Sequence, residues 1–345
     1  MIHLLVTRAH DYTVQEYLQI WGRDLRGRIA ACCYEDLAFG PRLAPGTYIF
    51  GDLERLTEPQ MELARLAWRQ MAQRPGDFRL LNDPSKVLRR YEMLKALHAV
   101  GINRFTAHKM NNGSLPKRFP LFLRRESEHD GALSPLLQSR EEMDRALAEM
   151  TNQGIDKSDI LAVEYCDTAD AAGVYRKYSA FRVGDRILAR HLFHSQKWIL
   201  KKADLVEDSH VREEVEYLQT NPHEQQLREV FDMAHIEYGR IDYAMLDGRV
   251  QVWEINTNPT ITVPPSRTAP GRLYGQGLFA QALESAWKTI EQPPAQSSPL
   301  KLNVPSSLRA QLSATLRHSV AREAGRAARW LARRSIFSAS ADLAT

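Results

Sequence analysis

Apolar residues fall into short β-type runs and helix-period stretches, and the order of these elements changes along the chain. Near the N-terminus they alternate: a strand over Ile2 to Val6, a helix over Val14 to Trp21, strands over Arg28 to Cys33 and Thr47 to Phe50, and a helix over Pro59 to Met71. This alternation predicts a small α/β unit with a mainly parallel sheet. Ser85 offers an N-cap, Leu88, Met93, Leu94 and Leu97 recur at helical spacing, and Gly101 supplies a stop, so a helix is expected from Ser85 to Val100.

Beyond that helix, strands and helices are segregated in an α+β manner. Strands are expected over Phe105 to Lys109, Phe119 to Arg124 and Ile160 to Cys166, with a helix over Ser139 to Asn152. A hairpin of Tyr175 to Arg182 and Arg186 to Leu192 turns at Gly184-Asp185. A helix over Pro222 to His235 precedes a second hairpin, Ile241 to Leu246 and Val250 to Ile255, turned by Asp247-Gly248. The fold class is therefore α/β plus α+β. Its expected units are residues 1–84, residues 85–290 (lobes at about 105–166 and 167–290), and a terminal segment 291–345.

A chain of 345 residues exceeds one ordinary core, and 43% apolar with 26% charged residues describes a soluble globular protein. No run of eighteen apolar residues occurs, and Met1 to Arg8 lacks the layout of a signal peptide, so a cytoplasmic location is expected. Cys32, Cys33 and Cys166 form no CxxC and no metal-ligand spacing, which suits a reducing compartment. The net charge of +4 belongs to the tail: residues 291–345 carry eight Lys and Arg against three acids, leaving −1 for residues 1–290. From Pro293 the composition is linker-like. After it, Pro305-Ser306-Ser307 starts a helix with Leu308, Leu312, Leu316 and Val320 on one face and Arg322, Arg326, Arg329 and Arg333 as a basic stripe. Such a helix suits a partner or an anionic surface, and a solvated or disordered tail is the plainer alternative. No specific nucleic-acid partner is expected, and a homodimer stays open.

The chemistry concentrates in Val252-Trp253-Glu254-Ile255-Asn256-Thr257-Asn258-Pro259, with Asp242 twelve residues before Glu254. Two acids and an amide are the oxygen donors that magnesium takes, its remaining positions going to water and phosphate, so magnesium-ATP is the first candidate ligand. Register is the obstacle. A strict two-residue turn pairs Leu246 with Arg249 and Asp242 with Trp253, which sends Glu254 to the opposite face. A shared face requires a three-residue loop over Asp247, Gly248 and Arg249, or a bulge in one strand. The bland alternative is an edge hairpin with solvated acids. Phosphates also need cations, and Arg124 at the end of the run FPLFLR is held by an apolar strand. Arg125, Glu126, Glu128 and His129 read as surface residues of a mobile loop. No GxxxxGK[ST] run, Ser-His-Asp spacing or CxxC pair offers competing chemistry.

The stretch EYGRIDYAMLDGRVQVWEINTNP, Glu237 to Pro259, resembles the C-terminal metal-binding segment of the ATP-grasp superfamily, which includes D-alanine-D-alanine ligases and glutathione synthetases. The resemblance covers roughly residues 80 to 290 and, more weakly, the α/β unit before them. It implies an N-terminal α/β domain and two α+β lobes clasping ATP, with Asp242, Glu254 and Asn256 holding one or two magnesium ions, or manganese. Arg124 stands where the family has a phosphate-contacting lysine; charge is kept, but a planar fork replaces a point charge. A second family lysine corresponds to Arg90, with Lys86 and Arg89 as rivals. Glu164 and Asp167 stand at the hinge that holds adenine and ribose, and Lys177 at a further phosphate contact. Arg182 and Arg190 face the cleft only if their hairpin is regular. Ser266, Arg267 and Arg272 are loop candidates for a substrate carboxylate.

By resemblance, the chain is expected to be an ATP-dependent ligase that activates a small-molecule or peptide carboxylate as an acylphosphate and joins it to an amine, with Arg124 and Lys177 serving the chemistry. A phosphotransferase of the same fold acting on a hydroxyl and a catalytically silent ATP-binding regulatory protein are the alternatives.

Overall fold

The computed structural model describes residues 1–40, 42–111, 115–129, 131–200, 203–293 and 297–314. Strands β1 (Ile2–Val6), β2 (Ile29–Cys33), β3 (Gly46–Phe50) and β4 (Phe78–Leu81) pair in parallel in the order β2-β1-β3-β4. Helices α1 (Tyr12–Ile20), α2 (Tyr34–Leu37) and α3 (Glu58–Ala72) link them. Helix α3 starts where the sequence provides for it, because Thr57 and Gln60 form a capping box and Pro59 lies in the first turn. The connection after β1 leads to β2 on one side of the sheet, and the connection after β3 leads to β4 on the other. The loops after β1 and β3 therefore lie at the topological switch point, where open α/β sheets bind ligands.

Helix α4 (Arg90–Ala99) leads into a three-stranded antiparallel sheet of β5 (Ala107–Lys109), β6 (Leu121–Arg125) and β7 (Ile160–Glu164), ordered β5-β7-β6. Helix α5 (Arg140–Asn152), capped by Ser139, covers one face through Met143 and Met150. A four-stranded antiparallel sheet follows, β11-β10-β8-β9, built from β8 (Tyr175–Val183), β9 (Arg186–Ser195), β10 (Tyr238–Leu246) and β11 (Arg249–Asn256). Helices α6 (Asp208–Thr220) and α7 (Glu224–Met233) lie between its two hairpins in sequence, and α8 (Leu273–Ile290) follows the second.

Two cores tie these sheets together. One packs Met93, Leu94 and Leu97 of α4 between Phe122, Leu161 and Val163 of the three-stranded sheet and Ile241, Tyr243 and Val252 of the four-stranded sheet. The other joins Ile2, Leu4, Val6 and Ile49 of the parallel sheet to Phe181, Val183 and Tyr238, with Phe279, Leu283 and Trp287 of α8 between them. The chain then returns to the first unit: Leu43 bridges Leu300, and Leu308 and Leu312 of a helix over 306–314 are buried against the α3 core. Leu316, Val320 and the basic stripe lie outside the described residues.

The helix expected from Ser85 begins instead at Arg90. Asp83 Oδ1 accepts from Ser85 N at 2.9 Å, and Leu88 N donates to Ala234 O at 3.0 Å, so local and tertiary bonds hold 85–89 outside the helix. The pattern of apolar positions does not mark strand β4 or helices α6 and α8. Among the described residues no helix is long and apolar enough to cross a membrane.

Candidate functional site

The β10–β11 turn is the strict two-residue one: Leu246 pairs with Arg249, and Asp247 and Gly248 both have positive φ, 49° and 75°. A bulge supplies the register change. Tyr243 pairs with Val252 and Asp242 with Glu254, so Trp253 is the extra residue. Of the two devices that could bring the acids together, the chain uses the bulge and not the longer loop. Directly opposed residues share a face, and period two adds Arg240 and Asn256 to it. Asp242 and Glu254 accordingly line one cleft.

Each acid is met by cations, Asp242 by those of β8 and its own strand and Glu254 by those of α4 and β6. Lys177 Nζ of β8 lies 2.7 Å from Asp242 Oδ2, Arg240 Nε lies 3.2 Å from Oδ1, and Ser179 Oγ donates to Oδ1 at 2.8 Å. Burial alone would push the Asp242 carboxyl up, but Arg240 and Lys177 outweigh it and hold it below its ordinary value, with Glu254 pushing back. Glu254 Oε2 receives Arg90 Nη2 and Arg124 Nη2, both at 2.7 Å. Its burial, too, is outweighed, by Arg124, Arg90 and His129, which hold it well below the usual carboxylate range. Arg90 is pulled down to about 10 by burial and by Arg124, against Glu254 and Glu54.

The donor set fits a hard divalent cation. Two carboxylates and an amide share one face, while among the described residues no group of three or more His, Cys, Asp and Glu forms a closed metal cage. Magnesium commonly takes few protein oxygens and completes its shell with phosphate and water. The Nε groups of Arg90 and Arg124 are buried without a hydrogen-bond acceptor, as donors awaiting a polyanion would be.

The cleft, about 310 Å³, has two ends of different chemistry. Phe122, Tyr165, Tyr175, Trp198 and Leu200 line an aromatic and apolar part; Arg124, Arg176, Lys177, Arg240, Asp242 and Glu254 line a charged part. Trp198 packs against Phe122 and Tyr165 at ring distances of 5.1 and 5.9 Å. A flat base beside a chain of phosphates matches this division. A second cleft of about 630 Å³ adjoins it, lined by His10, Tyr12, Thr13, Arg55, Ser127, Glu128, Asn256 and Thr260, and it shares His129 and Arg240 with the first.

Of the residues singled out in the sequence, Arg90, Arg124, Lys177, Asp242 and Glu254 come together, and Asn256 sits on the same face at the second cleft. Glu164 and Asp167 do not join them. Glu164 Oε1 lies 3.2 Å from His108 Nε2, and Asp167 accepts from Ala169 N at 3.1 Å; neither lines the cleft, whose wall there is Tyr165, Cys166 and Thr168. Lys86 pairs with Asp83 at 3.7 Å, and Arg89 donates to the Glu54 carbonyl at 2.8 Å. The β8–β9 hairpin is irregular at Ser179/Ala180: Arg182 pairs with Asp232 at 2.5 Å, and Arg190 donates to Ile261 O at 3.0 Å. Arg272 is held by Glu214.

Glu126 is buried and the His129 side chain is only 13% exposed, contrary to the expected surface loop. Arg90 Nη1 donates to the carbonyls of Arg125, Glu126 and Glu128 at 2.8, 2.7 and 2.9 Å and draws the loop onto the hairpin. Alternation along β10 also places Arg240 beside Asp242. The aromatic wall and Glu54 had no such signal, because they reach the site from distant parts of the chain.

No protein-family model matches the chain, and no curated protein sequence matches it. Solved structures with which it shares a likeness include a D-alanine-D-alanine ligase from Bacillus anthracis complexed with ATP, at 11% identity and a TM-score of 0.47, covering 84% of this chain and 97% of that one. A D-alanine-D-alanine ligase from Coxiella burnetii gives 14%, 0.42, 84% and 95%, and an L-amino acid ligase from Bacillus licheniformis gives 10%, 0.39, 83% and 74%. At these identities and scores, function is read from the site's own residues.

Proposed function

We propose that the chain is an ATP-dependent, magnesium-requiring ligase of the ATP-grasp type, which activates a carboxylate as an acylphosphate and joins it to an amine. The observation that carries this reading is the bulge at Trp253, which sets Asp242 and Glu254 on one face among cations from three other elements, at the junction of an aromatic cleft and a polar one.

Asp242, Glu254 and Asn256 are the residues that would hold magnesium. Bound there, it would neutralise phosphate charge and orient the terminal phosphoryl group. Arg124, Arg90 and Lys177 now satisfy the two carboxylates and are placed to turn to phosphate oxygens. The aromatic end holds the base, with Tyr165, Cys166 and Thr168 as its edge. Arg240 borders both clefts, so its guanidinium stands where a phosphoryl group passing between them would carry its charge. A carboxylate oxygen in the second cleft bonds to the γ-phosphorus as the bridging P–O bond to ADP breaks. An amine then attacks the acyl carbon, inorganic phosphate leaves, and the amine's proton is lost.

The test is ADP release with magnesium over pools of amino acids, small peptides and carboxylates, with hydroxylamine present to trap an acylphosphate as the hydroxamate. Release stimulated by a carboxylate, with hydroxamate formed, supports the ligase. Release with hydroxyl compounds and no hydroxamate points to phosphotransfer, and binding without release to a silent nucleotide-binding protein.

A further inference from the structure

Glu54 has no part in the reading above, yet it is buried at the meeting point of the parallel sheet, the loop after β6 and the hairpin that carries the acids. Its Oε1 lies 3.0 Å from His129 Nε2. Thr257, one residue past Asn256, donates its hydroxyl to Oε2 at 2.6 Å and its N–H to Oε1 at 3.3 Å, and Leu53 N donates back to Thr257 Oγ1 at 3.1 Å. Arg55 Nη1 stands 3.8 Å away. The other ring nitrogen of His129 lies 3.0 Å from Arg90 Nη2 and 3.6 Å from Glu254 Oε2. The loop is thus gripped twice, by Arg90 through its carbonyls and by Glu54 through its histidine.

We propose that Glu54 is a positioning residue which locks residues 126–129, after β6, at the phosphate end of the cleft through His129, coupling the N-terminal unit to nucleotide binding. This rests on the nucleotide reading above. A purely structural role for Glu54 would be met by a neutral amide, which can also accept from Thr257. What the carboxylate adds is a charge-assisted bond to a histidine of the loop, and a buried carboxylate is costly unless so paired. His129 borders both clefts, so a loop held by it shields the point where they join.

The experiment compares wild type, Glu54→Gln, His129→Gln and the double variant, all as the full chain, with the magnesium complex of the nonhydrolysable ATP analogue AMP-PNP as probe. Affinity is read by calorimetry and loop closure by the rate of tryptic cleavage after Arg125. Each single variant is expected to weaken binding about tenfold and to speed cleavage in the presence of the analogue. The double variant should be no worse than about twofold beyond the weaker single one, because both break the same link. Lys177→Ala, which removes a phosphate contact away from the loop, should weaken binding without speeding cleavage of analogue-saturated protein. Binding and cleavage unchanged in His129→Gln overturn the proposal, whether or not Glu54→Gln folds; so does a double variant whose losses multiply. A wild-type chain that fails to bind the analogue refutes the nucleotide reading, and the inference falls with it.

Discussion

Asp242 and Glu254 tolerate burial beside one another because each has its own cations: Lys177 and Arg240 for the first, Arg90, Arg124 and His129 for the second. Replacing either acid should be costly in different ways. Asp242→Asn and Glu254→Gln should each lower magnesium-dependent ADP release at least about a hundredfold, measured by a coupled assay. Only Glu254→Gln strands two buried guanidinium groups, so it alone should also lower the thermal midpoint markedly. The Glu54–His129 pair gives a pH signature. Burial would raise Glu54, but His129, Arg55 and Thr257 hold it at about 2 against an ordinary 4.5. Its contribution is complete above 4.5 and is lost as pH falls toward 2, a loss on the order of 3 kcal/mol. His129 is shifted the other way: burial lowers it, but Glu254 and Glu54 raise it above 6.5, so its contribution is full below 6.5 and lost as pH rises through the raised value. Urea unfolding from pH 3 to 9 should show Glu54→Gln with a flatter acid limb and His129→Gln with a flatter alkaline one.

At the scale of elements, the β10–β11 hairpin does two separable things: its turn fixes where pairing starts, and its bulge decides which face Glu254 takes. Gly248 has φ of 75° with nothing within 4 Å of where a Cβ would stand, so Gly248→Ala meets backbone strain alone and should cost about 1 kcal/mol. The site would persist in that variant, since the bulge lies beyond the turn. Gly51, at the end of β3, is different. A Cβ there would stand 3.0 Å from the carbonyl oxygens of Leu5 and Thr257, both backbone atoms that cannot turn aside. Gly51→Ala should therefore cost about 1–3 kcal/mol and also weaken binding of the ATP analogue, because it wedges the parallel sheet away from the residue that holds Glu54. Chemical denaturation and calorimetry on the two variants separate these outcomes.

Across the whole molecule, the parallel sheet and the four-stranded sheet share one core through α8. Trp287 is fully buried there, its ring 5.2 Å from that of Tyr238. Trp287→Ala should cost about 3–5 kcal/mol, and guanidinium unfolding followed by far-UV circular dichroism should still show a single transition, because the sheets are joined by buried contacts and not by a linker. The same packing gathers the site: Arg90 comes from α4, Arg124 from β6, Lys177 from β8, and Asp242 and Glu254 from the hairpin.

The sequence by itself determined what depends on neighbours along the chain. Alternating apolar runs placed the strands around the site, Asp247-Gly248 placed the turn, and the spacing of Asp242 and Glu254 demanded a register change that the Trp253 bulge supplies. Alternation also puts Arg240 on the face of Asp242. Tertiary structure decided what depends on contacts between distant segments. Glu164 ends β7 just before the cleft-lining Tyr165 and Cys166, yet turns to His108, because which side of a strand faces a cleft depends on the sheet packed against it. His129 reads as a surface residue of a loop, but Arg90 and Glu54, 39 and 75 residues away, hold it beside Glu254. A charged residue in a polar loop carries no local mark of burial; its partners exist only once the chain has closed.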